Sequence, residues 1–381
     1  MEITIVCPDY PTKDHFRFTF VKELAIILSR LNNNITVVAP QSITRSIFRG
    51  EIIAKKDYTE NFEDGTSIRV IRPYLLSFGS LSSFRKINYI LFKKAVYNGL
   101  SLINKKPDIL YAHFWVAGIS SLSFAKKYGL KIVVGSGEEN IDFHKYYQIS
   151  NLNDILDEIS HVIPVSSKTM KEIQSKLFVP NSKMTIVSNG YDNQKFFESI
   201  ELRKRKRNEL QIKESDTVFI FVGQFSERKG VDKLDKALKL INNDNYKIIY
   251  IGSGPIKPTY TNTIFIGKVP HQSINEYLNS ADIFIFPSRN EGCPNSVIEA
   301  MGAGLPIIIP NLEYSRDILP DTYLGFIDLE EDCSLINKIK LFGSNTNIRS
   351  KTKEQIKEIR NELTLTKRGK RINQILLKIN E

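Results

Sequence analysis

Cysteine is scarce and scattered: Cys7, Cys293 and Cys333 are the three in 381 residues. Their spacing draws no disulfide framework and fits a reducing compartment. No apolar run approaches the ~18–20 residues that a membrane-spanning helix needs. The N-terminus reads directly as a strand, Glu2–Cys7, so no secretion signal is expected. A cytoplasmic protein is expected, touching the inner face of a membrane peripherally at most. Zinc-finger spacing and an RNP-type aromatic motif are both missing, which counts against nucleic acid as a partner. The Gly252-Ser253-Gly254-Pro255 turn is not a dinucleotide fingerprint. Lys257 stands where the third glycine belongs, and no acidic partner follows about 20 positions on.

The chain has length for two domains, at ~100–200 residues each, and its hydrophobic content of 41% gives each a core. Its formal net charge of +11 points to an anionic partner: nucleotide, nucleic acid or membrane surface. One stretch, residues 283–310, organises the rest. Ile283–Phe286 reads as a short buried parallel strand. Pro287 and Ser288 end it, and Asn290–Gly292 form a loop. Asn295 or Ser296 caps a helix whose apolar positions are Val297, Ile298, Ala300 and Met301. Gly302 and Gly304 stop that helix, and Leu305–Ile309 is the next strand. Glu291 on the loop and Glu299 in the helix are eight positions apart, about 12 Å on a helical path. That is too far for the ~5 Å carboxyl pair of a retaining glycosidase. It suits a nucleoside diphosphate sugar lying across a helix N-terminus. Its sugar hydroxyls would meet Glu291, its diphosphate the amides of Asn295, Ser296 and Val297, and its ribose diol Glu299.

The run Glu291-Gly292-Cys293-Pro294-Asn295-Ser296-Val297-Ile298-Glu299-Ala300-Met301, followed by a small-residue turn and Pro306, resembles the E-x7-E motif of retaining GT-B glycosyltransferases of family 4, the glycosyl transferases group 1. The resemblance implies an α/β fold of two Rossmann-like, doubly wound domains facing a cleft. Residues 1–197 would form the acceptor-side domain and 198–365 the nucleotide-sugar domain, with a C-terminal helix, 366–381, returning to the first. It implies that Glu291 positions the sugar at the reacting end and Glu299 the ribose, with Gly292, Cys293 and Pro294 in the donor loop. Gly223–Gly230 resembles the family's G-R-x-x-x-x-K-G loop, although Gln224 stands where Arg is common. Arg228 and Lys229, a cationic pair beside glycines at a strand end, suit a diphosphate. Gly267-Lys268-Val269-Pro270 is similar to the G-x-V-P segment and places Gly267 and Val269 beside the base.

In the first domain, Glu2–Cys7, a helix Phe18–Arg30 and a strand Ile35–Ala39 make a βαβ opening of Rossmann type. The family usually carries glycine in the first loop; residues 9–18 contain none, and Lys13, His15 and Arg17 stand there. Either side chains replace backbone at that point or the loop serves the acceptor. Acceptor-side candidates are His113, after the strand Asp108–Ala112, with Ser136 and Glu138 in the loop Gly135–Asn140. A structural role is the alternative for each. The family commonly has a His-Gly pair where Ser136-Gly137 stands, so a histidine-dependent route is not carried over. Residues 80–106 read as one or two basic helices with Phe84, Ile87, Leu91, Ala95 and Leu102 on one side. Such a helix packs on the core with a solvated basic face or lies on an anionic membrane. Met184–Val187 reads as the last strand of this domain, Arg203–Arg207 as the exposed face of a helix opening the second, and Thr366–Ile379 as a basic amphipathic helix.

Asp-x-Asp occurs nowhere. Metal-dependent transferases of the other major fold hold a divalent ion with that pair, so no metal and no cofactor is expected. Protein cations would stabilise the leaving group instead. The implied activity is transfer of a sugar, with retention, from a nucleoside diphosphate sugar to a glycan or lipid-linked acceptor. Surface polysaccharide synthesis, as of capsule or lipopolysaccharide, is the expected setting. A GT-B sugar-nucleotide epimerase is the alternative reading, and a basic nucleic-acid-binding protein a more remote one.

Overall fold

The computed structural model describes residues 1–12, 17–79, 82–138, 141–143, 145 and 156–381. The chain divides into two compact units: Met1–Val187 with Arg368–Glu381, and Ser188–Lys367. Both are α/β, each built on a sheet of Rossmann type.

The first unit contains β1 (Glu2–Val6), β2 (Asn34–Val38), β3 (Gln41–Ser42), β4 (Asp57–Asn61), β5 (Ser67–Ile71), β6 (Tyr74–Leu75), β7 (Ile109–His113), β8 (Lys131–Ser136) and β9 (His161–Pro164). Seven of them form a sheet in the order β4-β5-β2-β1-β7-β8-β9, while β3 and β6 pair separately. Within the large sheet only β4 and β5 run antiparallel. The parallel strands are covered on both faces, and β7 is buried at every residue; such strands read as apolar runs rather than as alternation. The helix Thr19–Arg30 buries Val21, Leu24, Ala25 and Leu28, the stripe that a 3.6-residue period dictates. Ile372 and Leu376 of the C-terminal helix Leu365–Asn380 join the same core cluster, each contributing roughly 1.5–3 kcal/mol of burial. A Cβ at Gly369 would stand 2.4 Å from Ile27, so only glycine lets this helix pack so close.

One element of this unit was not expected, and two expectations need correction. The β4–β5 hairpin escaped the sequence reading, although Asp64-Gly65 between β-prone runs is a hairpin signal; Gly65 has φ 81°, and Asp64 accepts from both the amide and the hydroxyl of Thr66. Met184 makes a single bridge to Val162 instead of opening a strand. Of the face drawn through Phe84, Ile87, Leu91, Ala95 and Leu102, Ala95 is buried and Leu91 half-buried, while Phe84, Ile87 and Leu102 are exposed; the helix Arg85–Leu100 buries Val96, Gly99 and Leu100 with Ala95. It packs through its C-terminal half, where a Cβ at Gly99 would come within 2.6 Å of Pro73.

The second unit contains β10 (Thr217–Val222), β11 (Tyr246–Ile251), β12 (Thr263–Gly267), β13 (Ile283–Ile285), β14 (Ile307–Pro310) and β15 (Phe326–Ile327), all parallel, in the order β12-β11-β10-β13-β14-β15. The run Arg203–Arg207 is the solvated face expected of it only in part: Lys204 and Arg205 are exposed, Arg203 and Arg207 half-buried, and Lys206 buried. Arg203 and Arg207 pair with Asp282 at 2.6 and 3.5 Å, and Arg205 and Lys206 with Glu276 at 2.9 and 3.1 Å. These cations fasten the helix Ile200–Glu209 to the helix Ile274–Ser280. In each sheet the strand order reverses once, between β1 and β7 and between β10 and β13. Open α/β sheets bind ligands beyond the strand ends at such a point.

Candidate functional site

In the second unit, the loops after β10 and β13 meet at the reversal point. The first carries Arg228, Lys229 and Gly230, and the second carries Ser288 to Pro294. Gly230 has φ 72°, and a Cβ there would fall 2.1 Å from the carbonyl oxygen of Pro287. Glycine is required for the two loops to close on each other. The closure brings Lys229 Nζ to 2.7 Å and Arg228 Nη1 to 3.3 Å from one oxygen of Glu291. Ser288 Oγ donates to that same oxygen. Arg228 also donates to the carbonyl of Asn290 at 2.9 Å, and the Lys229 ammonium lies 5.2 Å from the Phe286 ring centroid. Glu291 is only 9% exposed. A buried carboxylate held by two cations and a hydroxyl is fixed in position and leaves the cluster one charge positive. The sequence reading gave the cations to the diphosphate and Glu291 to the sugar as separate devices; the fold joins them into one.

The helix Asn295–Gly302 begins beside this cluster. Its N-cap is Pro294, with no side-chain cap, so neither Asn295 nor Ser296 caps it as expected. Asn295 is engaged elsewhere: its Oδ1 accepts from Asn189 at 2.9 Å, and the same Asn189 amide donates to the Cys293 carbonyl at 3.0 Å. The Val297 amide bonds back to Pro294 at 3.2 Å, which leaves Asn295 and Ser296 as first-turn amides at the positive end of the helix. Gly292 and Cys293 are half-buried between the cluster and this terminus.

Glu299 is half-buried further along the helix, with His271 Nε2 2.9 Å from its Oε1. His271 in turn meets Phe196 edge-on, with ring centroids 5.4 Å apart. Sequence reading missed this histidine, although it directly follows the Gly267–Pro270 segment. The Gly267 carbonyl accepts from the Gly252 amide at 2.7 Å, and Val269 packs against the core. A Cβ at Gly252 would lie 1.9 Å from the Gly223 carbonyl oxygen. That glycine therefore serves a backbone crossing.

The acceptor-side candidates of the first unit fall into two settings. Glu138 accepts from the Trp115 amide, Ser136 Oγ and the Gly137 amide at 2.5, 2.9 and 3.0 Å, and Trp115 Nε1 donates to Ser136 Oγ at 3.0 Å. Ser136 and Glu138 thus support the start of the helix Trp115–Tyr128. Burial raises the Glu138 carboxyl to about 7, against the donors that lower it. His113 lies among rings, 4.6 Å from Phe114 and 5.0 Å from Phe20. Burial, and then the Arg368 charge, push it down to about 3, so its imidazole is neutral. Arg17 is committed to Glu51 and Asp9; Lys13, His15, Glu139 and Asn140 lie outside the described residues. Among the described residues, no three His, Cys, Asp or Glu side chains cluster as metal ligands, and no helix is long and apolar enough to cross a membrane.

Two family models match the chain: Glycosyltransferase Family 4 over residues 18–195 and Glycosyl transferases group 1 over residues 203–359. A putative teichuronic acid biosynthesis glycosyltransferase of Bacillus subtilis is 26% identical over 317 residues, covering 80% of this chain and 79% of the relative. A UDP-Gal:alpha-D-GlcNAc-diphosphoundecaprenol alpha-1,3-galactosyltransferase of Escherichia coli is 24% identical over 314 residues, covering 77% and 81%. Among solved structures, HepE of Anabaena, crystallised with UDP and glucose, superposes with a TM-score of 0.68 at 14% identity, over 99% of this chain and 100% of that one.

Proposed function

The chain belongs to the family 4 glycosyltransferases, with the GT-B fold and the group 1 model over its second unit, and from that premise we propose that it transfers a sugar from a nucleoside diphosphate sugar to an acceptor hydroxyl, with retention and without a metal ion. The observation that carries the proposal is the Glu291–Lys229–Arg228 cluster beside the Asn295–Gly302 helix terminus. The diphosphate lies on Lys229, Arg228 and the amides of Asn295 and Ser296. Glu291, held by its cations, faces the sugar, and Glu299, held by His271, faces the ribose. When the bond from the anomeric carbon to the diphosphate oxygen breaks, its electron pair stays on that oxygen. The cations stabilise the charge that develops there. The acceptor oxygen bonds to the anomeric carbon on the same face, and its proton passes to the departing diphosphate oxygen. Glu291 stabilises the positive charge that gathers on the ring between these events.

The acceptor is proposed to be a lipid-linked glycan of a surface polysaccharide. The Escherichia coli relative is named for such an acceptor and the Bacillus subtilis relative for a wall polymer. Peripheral contact with an anionic membrane fits the same setting: Lys86, Lys93 and Lys94 are exposed beside Ile87 and Ile90 on the Arg85–Leu100 helix. The test is incubation with a panel of nucleotide sugars and lipid-linked acceptors in EDTA, with the anomeric configuration of the product read by NMR. Retained configuration and transfer in EDTA are expected. An inverted product, an epimerised donor released without acceptor, or full dependence on added metal would overturn the corresponding part.

A further inference from the structure

The first unit has its own reversal point, between β1 and β7, and a cavity of about 740 Å³ opens there. Pro8 after β1, Pro40 after β2 and Val116 after β7 line it, so it lies beyond the strand ends where such sheets hold ligands. Its volume is that of a site for a single small molecule. Charged and aromatic side chains are prominent in its lining. Arg45, Arg49 and Arg85 are cationic; Phe48, Phe78 and Tyr89 are aromatic.

The cationic side is in excess. Arg17, Arg45 and Arg72 pair with Asp9 at 3.0, 3.6 and 3.4 Å, and Arg17 and Arg49 pair with Glu51 at 2.7 and 3.9 Å. Among the described residues, these four guanidiniums pair with two carboxylates. Arg72 is fully buried, donating to the Tyr10 carbonyl at 2.8 Å, and belongs to the floor. The Arg45–Asp9 and Arg49–Glu51 separations are too long for hydrogen bonds, so these two forks keep donors for another anion. A planar fork is also the donor that fits phosphate oxygens in pairs.

The aromatic side is exposed. Phe48 is 91% exposed and Ile47 65% on the short helix Ile43–Arg49, facing water beside the arginines. Ile87 and Ile90 are 44% and 53% exposed on the helix that brings Arg85 to the cavity. A hydrophilic anion would satisfy the arginines and leave this surface wet; a neutral apolar ligand would do the reverse. An amphiphilic anion satisfies both.

We propose that this cavity holds the diphosphate ester of a long apolar alcohol, with the diphosphate on Arg45, Arg49 and Arg85 and the first part of the chain on Phe48 and Phe78. The tail leaves over Ile47, Ile87 and Ile90. This rests on the lipid-linked acceptor reading for its biological identity, and adds where and by what groups the lipid diphosphate is held.

Farnesyl diphosphate is a soluble probe. Titrated calorimetrically into the full chain in EDTA, it should bind at least about tenfold tighter than inorganic diphosphate or farnesol, because each of those engages only one side. The double variant Arg45→Gln/Arg49→Gln should lose about tenfold or more, the scale of lost charged hydrogen bonds. Phe48→Ser, at an exposed position that leaves folding intact, should weaken farnesyl diphosphate severalfold and inorganic diphosphate not at all. Lys229→Gln, which alters the diphosphate site of the second unit, should leave farnesyl diphosphate binding at this cavity in place. The assignment is overturned if farnesyl diphosphate does not bind, if the arginine pair and Phe48 variants bind it as wild type does, or if Lys229→Gln abolishes binding. Displacement by an equal concentration of short-chain phosphatidylglycerol would make the recess a bilayer contact and overturn it as well. Nucleotide binding is measured separately: intact nucleotide binding with no farnesyl diphosphate binding condemns this inference alone.

Discussion

The two units present the same sheet device with different loops. Each has a reversal of strand order, and each gathers cations beyond it. In the second unit the cations are locked onto one buried carboxylate, a glycine with positive φ closes the loops, and a helix N-terminus stands alongside. In the first unit the loop after β1 has no glycine, four guanidiniums pair with two carboxylates among the described residues, and the neighbouring surface is aromatic and exposed. Parallel strands fix where a ligand can lie, while loop chemistry fixes what it is. A closed polar site with a fixed carboxylate suits a reacting sugar nucleotide. An open, cationic and apolar one suits an amphiphile that need only be held.

Breaking the second site should cost most. Glu291→Gln keeps the shape and removes the charge beside the developing cation, and should lower kcat by about a hundredfold, the scale for one electrostatic stabiliser. Nucleoside diphosphate affinity should stay level or tighten, because Lys229 and Arg228 lose their anionic partner. Steady-state kinetics together with calorimetry check both halves; weakened nucleotide binding would refute the division of roles. Glu299→Ala comes next. The loss of a charged hydrogen bond to the ribose should weaken donor and free nucleoside diphosphate alike by about 10- to 100-fold. The change should appear in KM rather than kcat, since ribose contacts change little during reaction.

How much of this was legible in the sequence follows from what each feature depends on. The buried strands β7, β10 and β13 and the Glu291–Glu299 unit were readable, because continuous apolar runs and a fixed spacing are local properties. The Glu291–Lys229 pair was not: its residues are 62 positions apart in sequence, and only the closure at Gly230 makes them neighbours. His271 was missed because a histidine after a Pro-ended segment carries no local signal of the carboxylate it meets. On the helix Arg85–Leu100 the expected face holds at Ala95 and fails at Ile87, because the N-terminal half leaves apolar residues exposed, which periodicity alone cannot detect. The helices Asp332–Ser344 and Thr346–Arg360 were not read at all.

Two titratable groups of the first unit sharpen the contrast at smaller scale. Glu138 has a carboxyl raised from its ordinary 4.5 to about 7. Its contribution to stability is therefore full below the ordinary value and lost as pH rises through the folded one. Glu138→Gln should flatten thermal stability between those two values. His113 is lowered from its ordinary 6.5 to about 3, so its contribution is present above the ordinary value and lost as pH falls toward the folded one. His113→Asn should flatten that opposite limb, and melting curves across this pH range separate the two. The smallest effect concerns the exposed basic surface. Co-sedimentation with anionic vesicles should fall as salt rises, because screening shortens to ~3 Å near 1 M. Equal binding to neutral vesicles would contradict an electrostatic contact.

The central claim is that protein cations fixed by Glu291, rather than a metal ion, hold the diphosphate of the donor. Calorimetry of a nucleoside diphosphate panel in EDTA, on wild type and Lys229→Gln, tests it most directly. At least one nucleoside diphosphate should bind wild type in EDTA and lose about tenfold or more in the variant. Affinity that vanishes on chelation, or that Lys229→Gln leaves unchanged, would contradict the claim.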